Sequence, residues 1–571
     1  MSKAILVCFR DRGQVGDFRR SVALVGRRLM PDHVSSVPLA VTENEGLWSI
    51  VVNPSPPLLA RNGSVCLGGI IAGLDRWWAV GTPPPDGSYA LFRGDVDTVE
   101  LATDAVASRT IWYVQTDALF IAATSQRAIV MLLGSYEPNP NTLPWMLSSG
   151  TLGPDNAWDL RIRRLEPDAL LRLDRRSWKH SIQQRDVVFA TQPATEHEQK
   201  AKLLRIMREV FDELHVDNQA WEMLLSGGYD SRAILLLLKN RDGLRCTTWG
   251  HRSSAEDCGS DAGVAARLAR HFRLNHRYLP IDTQRESPEK AIGRFLSAGE
   301  GRIDLLSGYM DGCCIWEQLF NERRGVIRGD EAFGKYPVDN PFEARDCVGL
   351  RLLSDCYNLR GIDFGLPQQT VPEYLERKQR ESLATWRDRM NQLFELPTVW
   401  AALNDVKSAY VELMNPLLSR RVVEYVRTLP DHARTDKSLF RKLVRDLSPP
   451  IGFAVRPSIE SPRNILKQEQ FVSLFLDTFD SLSARRVLPD RLLRFLASHV
   501  AVAKESERRR SRVRPWRPVL SAIPAGMRRL AKRAFQRPVL DANVMAFRAY
   551  IICRMHEILG EDAQLLAQER R

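Results

Sequence analysis

The sequence predicts a multidomain protein of mixed α/β and α+β class. A β-rich layered domain is expected over residues 1–190, and a second domain over 198–571, with a parallel sheet flanked by helices and a helical C-terminal part. Three observations carry this expectation. The 571 residues exceed the length at which one hydrophobic core stops growing. Up to about Asp186, short apolar runs alternate with turns rich in Gly, Pro, Asn and Asp. From Ala220 onward, strand-like runs alternate with helix-length amphipathic runs, the pattern of βαβ units and a parallel sheet.

In the first domain the strand-like runs are AILVCF (4–9), VELAT (99–103), IWYV (111–114), LFIAAT (119–124) and LLRLD (170–174). They are rich in β-branched, aromatic or other apolar residues and end at turn formers. The polar stretch ATQPATEHEQK (190–200) reads as a linker into a helix beginning near Glu198. Then come AWEMLL (220–225) as strand, SRAILLLLKN (231–240) as helix, CTTWG (246–250) as strand, DAGVAARLARHF (261–272) as helix and HRYLPI (276–281) as strand. After about Asn340 the pattern is predominantly helical, broken at Ser448, Pro449 and Pro450 and by a basic segment from Lys504 to Arg537. No repeat of 20 to 50 residues is present.

Composition excludes several classes. Hydrophobic residues make up 44% and charged residues 26%, and no apolar run reaches the roughly 18 to 20 residues that span a bilayer. The start, MSKAILVCFRDRG, lacks the apolar core and cleavage site of a signal peptide, so a cytoplasmic location is expected. The nine cysteines contain no CxxC pair, which argues for thiols. The net charge of +12 points to an acidic partner, and much of the excess lies in 504–537. That segment reads either as a solvated face or as a surface for a membrane or a partner protein.

The most informative string is Leu225-Ser226-Gly227-Gly228-Tyr229-Asp230-Ser231, between a strand and a helix that starts near Arg232. Gly227 and Gly228 let the backbone approach a phosphate, and Ser226 and Ser231 supply hydroxyl donors. The helix N-terminus adds amides and a dipole that favours an anion. Asp230 would repel phosphates unless a hard cation lay between, so the string implies Mg²⁺. The alternative is a tight turn with a capping Asp or Ser.

SGGYDS resembles the SGGxDS pyrophosphate loop of the ATP pyrophosphatases, which cleave ATP between the α and β phosphates. No Gly-Lys-Ser/Thr follows, which disfavours γ-phosphoryl transfer. Arg328–Tyr336, RGDEAFGKY, resembles the G-(A/G)-D-E-L-F-G-G-Y segment of the asparagine synthetase-like amide synthetases. The resemblance implies that Asp330 shares Mg²⁺ with Asp230, and that the segment from Gly329 lies at the nucleotide. It also implies that Trp249 and Gly250, in TTWG, stand at the adenine. Glu256 to Asp261 is similar to the family's acidic turn before a long helix, and NPLLSRRVVEYVRTLP from Asn415 to a later helix. Lys437 and Arg441, in DKSLFRKLVRDL, stand where the family has a basic helix near the phosphates. LATDAVASRTIWY (101–113), LFIAATSQRAIVML (119–132) and IRRLEPDALLRLD (162–174) resemble the amidotransferase half, an Ntn-type layered domain.

Glutamine-hydrolysing members carry a cysteine after the initiator Met, whose own amine is the base; this chain has Ser2, and Cys8 lies inside a strand. The first domain is therefore expected to be an inactive scaffold. Without ammonia from glutamine, the amine is expected to belong to the substrate. The resemblance then implies an ATP- and Mg²⁺-dependent ligase that forms an acyl-adenylate and closes a lactam, most like a lasso peptide cyclase. Such enzymes join a core peptide's N-terminal amine to an Asp or Glu side chain. β-Lactam synthetases carry a Tyr in a G-Y-G-A-D segment, where this chain has Ile327-Arg328-Gly329-Asp330. The Lys of the family's R-x-K-(E/K)-x-F segment is absent from VRPSIE (455–460), which leaves Arg456 and Lys467 as candidates to stabilise the second transition state. Glu331 and Asp304, the latter in GRIDLLSGYM, are candidates for the ring-closing base. Expected partners are the precursor core peptide, a leader-peptide protease, an exporter and, through 504–537, a membrane surface. Competing readings are a β-lactam synthetase or other small-substrate amide ligase, a tRNA-modifying ATP pyrophosphatase and a non-catalytic scaffold. No RNA-binding module or aromatic platform is seen, so no nucleic acid is expected.

Overall fold

The computed structural model describes residues 3–11, 18–35, 39–55, 57–283, 285–459, 462–503 and 538–569. Ser2, Glu460 and the basic segment 504–537 lie outside the described residues, and with them the expectations of a lost nucleophile and of a docking or membrane-facing segment. The chain is an α/β multidomain protein with antiparallel and parallel sheets and many helices.

Twelve strands before residue 190 form two antiparallel sheets. They are β1 (Lys3–Phe9), β2 (Ala40–Asn44), β3 (Leu47–Val52), β4 (Leu59–Arg61), β5 (Ser64–Ala72), β6 (Asp86–Gly94), β7 (Thr98–Thr103), β8 (Trp112–Gln115), β9 (Leu119–Ala123), β10 (Arg163–Arg164), β11 (Ala169–Asp174) and β12 (Lys179–Gln184). One sheet has the order β10-β8-β9-β1-β3-β2, the other β12-β11-β7-β6-β5-β4. The period-two rule shows how they stack. Ala4, Leu6 and Cys8 of β1 face Val65, Leu67, Phe92 and Leu101 of the second sheet, while Ile5 and Val7 join a core with Val22, Val25 and Ala128 of the flanking helices. Because β1 is buried on both faces, its sequence from Ala4 to Phe9 is an apolar run rather than an alternating one.

After the helix Glu196–Glu213, opened by a Thr195–Glu198 capping box, comes a five-stranded sheet. Its strands are β13 (Trp221–Leu224), β14 (Arg245–Gly250), β15 (Asn275–Pro280), β16 (Gly325–Ile327) and β17 (Leu413–Met414). They are all parallel, in the order β15-β14-β13-β16-β17. β16 and β17 have three and two residues, too few for periodicity, so the mainly helical reading after Asn340 passes over β17. The order matters for function. From β13 the chain moves outward through β14 and β15, then returns to place β16 on β13's other side. The crevice between the C-terminal ends of β13 and β16 is thus a topological switch point.

Buried charge stitches the two halves together. Glu300 accepts from Lys3 Nζ at 3.0 Å, from the Gln126 amide at 2.7 Å and from the Ser125 hydroxyl, and its carbonyl accepts from Trp158 Nε1 at 2.8 Å. Burial opposes its charge, yet Lys3 and the Ser125 hydrogen bond hold it below the usual carboxylate range. The C-terminal helix Ala542–Glu569 lies across both halves. Its Asp562 takes Arg127 Nε at 2.6 Å, and its Arg548 donates to Leu147 and Ser148 carbonyls at 3.0 and 2.7 Å. Among the described residues no helix is long and apolar enough to cross a membrane. All nine cysteines are free thiols.

Glu300→Ala is expected to destabilise the fold by about 3 to 5 kcal/mol, because Lys3 would stay buried without its partner. Glu196→Ala, which breaks the exposed pair with Lys442, should leave the stability nearly unchanged. Chemical denaturation of both variants tests the difference.

Candidate active site

The helix after β13 runs from Tyr229 to Leu237, so it begins before Arg232 and holds Asp230 and Ser231 in its first turn. The turn before it is locked internally. The Ser226 amide donates to Ser231 Oγ at 3.0 Å, the two hydroxyls share a hydrogen bond at 2.9 Å, and the Gly228 amide donates to Ser226 Oγ at 3.2 Å. Gly228 precedes the helix without a side-chain cap, which leaves first-turn amides for a ligand. A Cβ on Gly227 would stand 2.7 Å from those of Ala454 and Val264, so glycine is needed for the close packing there.

The segment after β16 lies directly on this helix start. A Cβ on Gly329 would be 2.9 Å from that of Asp230, so only glycine lets the two segments meet. Asp330 is buried. One of its oxygens takes Arg328 at 3.1 Å, and the other, Oδ2, has no hydrogen-bond partner among the described residues. Burial would raise its pKa, but Arg328 and Lys407 hold it below the ordinary range.

Lys437 binds these elements together. Its ammonium lies 3.1 Å from both Asp230 oxygens and 2.7 Å from Glu331 Oε1. Burial pushes Asp230 up to about 6; Lys437 pulls it down, while Glu331 and Asp330 push it further up. Burial works against the Lys437 ammonium, but Glu331 and Asp230 more than offset it and raise its pKa. Asp436 and Lys437 both have left-handed backbones, with φ of 56° and 55°, a conformation costly for residues with a Cβ.

These groups line a cavity of about 530 Å³. Ser226, Asp230, Ser231, Trp249, Gly329, Asp330, Glu331, Lys437 and Arg441 are all on its wall; Gly227 and Gly228 belong to the same loop. Gly250 stands behind Trp249, where a Cβ would crowd Ser458 to 2.5 Å. Arg441 pairs with Asp436. The structure does not bring Asp304 to the group. It is absent from the cavity wall and bonds Arg548 of the C-terminal helix at 2.7 Å. Arg456 pairs with Asp257 and Lys467 with Asp541, and neither lines the cavity.

Lining residues that the sequence reading did not single out include Lys335, Asn391, Trp400, Asp436 and Ser458, and Asp261, named there only as the end of an acidic turn, lines the cavity as well. Burial raises the pKa of Asp261, and the nearby Gly227 amide works against the rise. Lys335 was in view only as a letter of RGDEAFGKY. No protein-family model matches the sequence, and a search of curated proteins finds no match.

The raised Asp230 has a consequence for stability. An unfolded Asp titrates near about 3.9, so below that value both states are protonated and this group's contribution is fully present. As pH rises through about 6, the folded state must ionise a buried carboxyl and the contribution is lost. Asp230→Asn removes that loss. Its melting temperature relative to wild type is expected to climb between pH 4 and pH 7; a gap that does not change with pH would contradict the assignment.

Proposed function

We propose that this chain is an ATP-dependent, AMP-forming amide ligase. In this reading it activates an Asp or Glu side-chain carboxylate of a core peptide as the acyl-adenylate, then joins it to the peptide's N-terminal amine. The supporting observation is the convergence, at the β13/β16 switch point, of a glycine-serine loop on a helix N-terminus with three carboxylates and Lys437. This convergence supports reading the second domain as an ATP-pyrophosphatase, and the two preceding antiparallel sheets with their flanking helices support reading the first as an Ntn-type amidotransferase-like layer.

Loop amides and the Ser226 and Ser231 hydroxyls would hold the phosphates, with Trp249 beside the base. Arg441 and Lys437 would oppose the charge that builds as pyrophosphate departs. Among the described residues no group of three His, Cys, Asp or Glu side chains forms a metal site by itself. Mg²⁺ is commonly held by one or two carboxylates together with substrate phosphates, and the unpartnered Asp330 Oδ2 with Asp230 nearby suits that arrangement. The ion would neutralise phosphate charge. Glu331, already ion-paired with Lys437, would take the proton released when the amine attacks.

A candidate core peptide incubated with the protein, its processing partner, ATP and Mg²⁺ is expected to lose one water as AMP accumulates, read by mass spectrometry of both. Asp230→Asn should lower AMP formation by about 10²- to 10³-fold. ADP in place of AMP, or an unaffected variant, would refute the proposal.

A further inference from the structure

We propose that Lys335, positioned by Glu395, is a catalytic residue of the amide-forming step and receives the acyl carbonyl oxygen; this rests on the adenylation reading above. The cavity wall draws on both sides of the switch point. Ser226 follows β13 and Trp249 belongs to β14, where the nucleotide would lie. Lys335 follows β16, and Asn391 and Trp400 come from the helical run between β16 and β17, where the activated acyl group would project.

The backbone of Lys335 is fixed on both sides. Its amide lies against the Asp388 carboxylate and works to lower that group's pKa, and its carbonyl accepts from the Asp436 amide at 2.7 Å. Gly334 before it has φ of 124°, and a Cβ there would fall 2.2 Å from the Arg434 carbonyl oxygen, so the approach is open only to glycine. The side chain is fixed as well. Lys335 Nζ lies 2.6 Å from Glu395 Oε1, which also takes Trp400 Nε1 at 3.3 Å.

Glu395 sits in a ten-residue π-helical stretch, Asn391–Trp400, inside a helical run that continues from Leu383 to Ser408. Pro397 lies within it. A proline cannot donate the helical hydrogen bond, and π-turns of this kind gather at functional sites. Here the stretch contributes Asn391 and Trp400 to the cavity wall and Glu395 to Lys335. An ion pair only 17% and 9% exposed carries a desolvation cost that makes it weak evidence of a stabilising role.

The other cations of the cavity each pair with a carboxylate of the site. Lys437 spans Asp230 and Glu331, Arg441 holds Asp436, and Arg328 holds Asp330. An ammonium has three donors, and among the described residues Glu395 is the one hydrogen-bond acceptor for that of Lys335. Lys335 therefore keeps donors for a ligand. In the step, the amine lone pair forms the C–N bond at the acyl carbon, and the C=O π electrons move to oxygen, which Lys335 stabilises. Collapse of that oxyanion breaks the acyl C–O bond, AMP leaves with the electron pair, and the amine proton passes to Glu331.

The test measures Kd by calorimetry, with Mg²⁺, for ATP and for β-aspartyl sulfamoyl-adenosine, a stable acyl-adenylate mimic. Lys335→Met should weaken the mimic by about 10-fold or more and leave ATP unmoved, with Lys335→Arg recovering most of the loss and Glu395→Gln intermediate. Equal weakening of both ligands, or of neither, overturns the assignment of Lys335. Wild-type protein that binds neither ligand overturns the adenylation reading itself. Wild type that binds ATP but not the mimic removes the carboxylate half of that reading, and this inference with it.

Discussion

The ammonium of Lys437 is what allows Asp230, Glu331 and Asp330 to share one crevice. Two like charges about 4 Å apart repel by about 4 kcal/mol at the effective dielectric of a protein surface, so such carboxylates would otherwise separate or take up protons. Lys437 answers two of them directly, and Arg328 and Lys407 answer the third. The left-handed backbone at Asp436 and Lys437 costs about 1 to 2 kcal/mol per residue, and it persists because the surroundings over-determine it. The Lys335 carbonyl holds the Asp436 amide from one side, while the Asp436 carboxylate binds Arg441 from the other.

The first half of the chain reaches this crevice through hydrogen bonds rather than through a side chain of its own. Ser88 of β6 accepts the Asn415 amide at 2.9 Å, and the Asn415 side chain accepts the Asp330 amide at 3.4 Å. Asp86, at the start of β6, caps the helix Arg420–Arg427 by taking the Arg420 amide at 2.7 Å and the Ser419 hydroxyl at 2.6 Å. That helix lacks a side-chain cap from its own N-cap residue. The antiparallel sheets thus act on the site as a scaffold, setting the height of the Asp330 segment and of the helix after β17. A role of this kind does not require Ser2 to be a nucleophile.

The loop after β13 was legible because its chemistry is local: two glycines, two serines and an aspartate within one turn, between an apolar run and a helix. The Asp330 segment was picked out by its resemblance to a known motif rather than by its own local chemistry. The fate of Asp304 was not legible, because it depends on Arg548, far along the chain, whose helix takes the carboxylate into an ion pair. Nothing in the sequence joins Lys335 to Glu395, 60 residues further on. What buries them together is the π-helical stretch around Pro397, and a proline in a helical pattern ordinarily signals a break rather than a widened turn. The strands β16 and β17 were missed for a simpler reason: their few residues carry no period, and only the flanking strands define them as a sheet.

The pairings around the cavity share one logic. Lys437 with Asp230, Arg328 with Asp330 and Arg441 with Asp436 are all couples in which a cationic donor meets a carboxylate. Under the proposed function an anionic phosphate chain arriving with a cation would exchange partners, the phosphates taking the donors and the cation the carboxylates. Much of the desolvation is then already incurred in the fold, and binding trades one set of charge-assisted hydrogen bonds for another. Lys335 and Glu395 would stand outside that exchange, since neither belongs to the phosphate loop and Glu395, the partner of the lysine, is not on the cavity wall. An ammonium that keeps its orienting partner while the others change theirs is suited to the acyl group, whose charge appears only during the reaction.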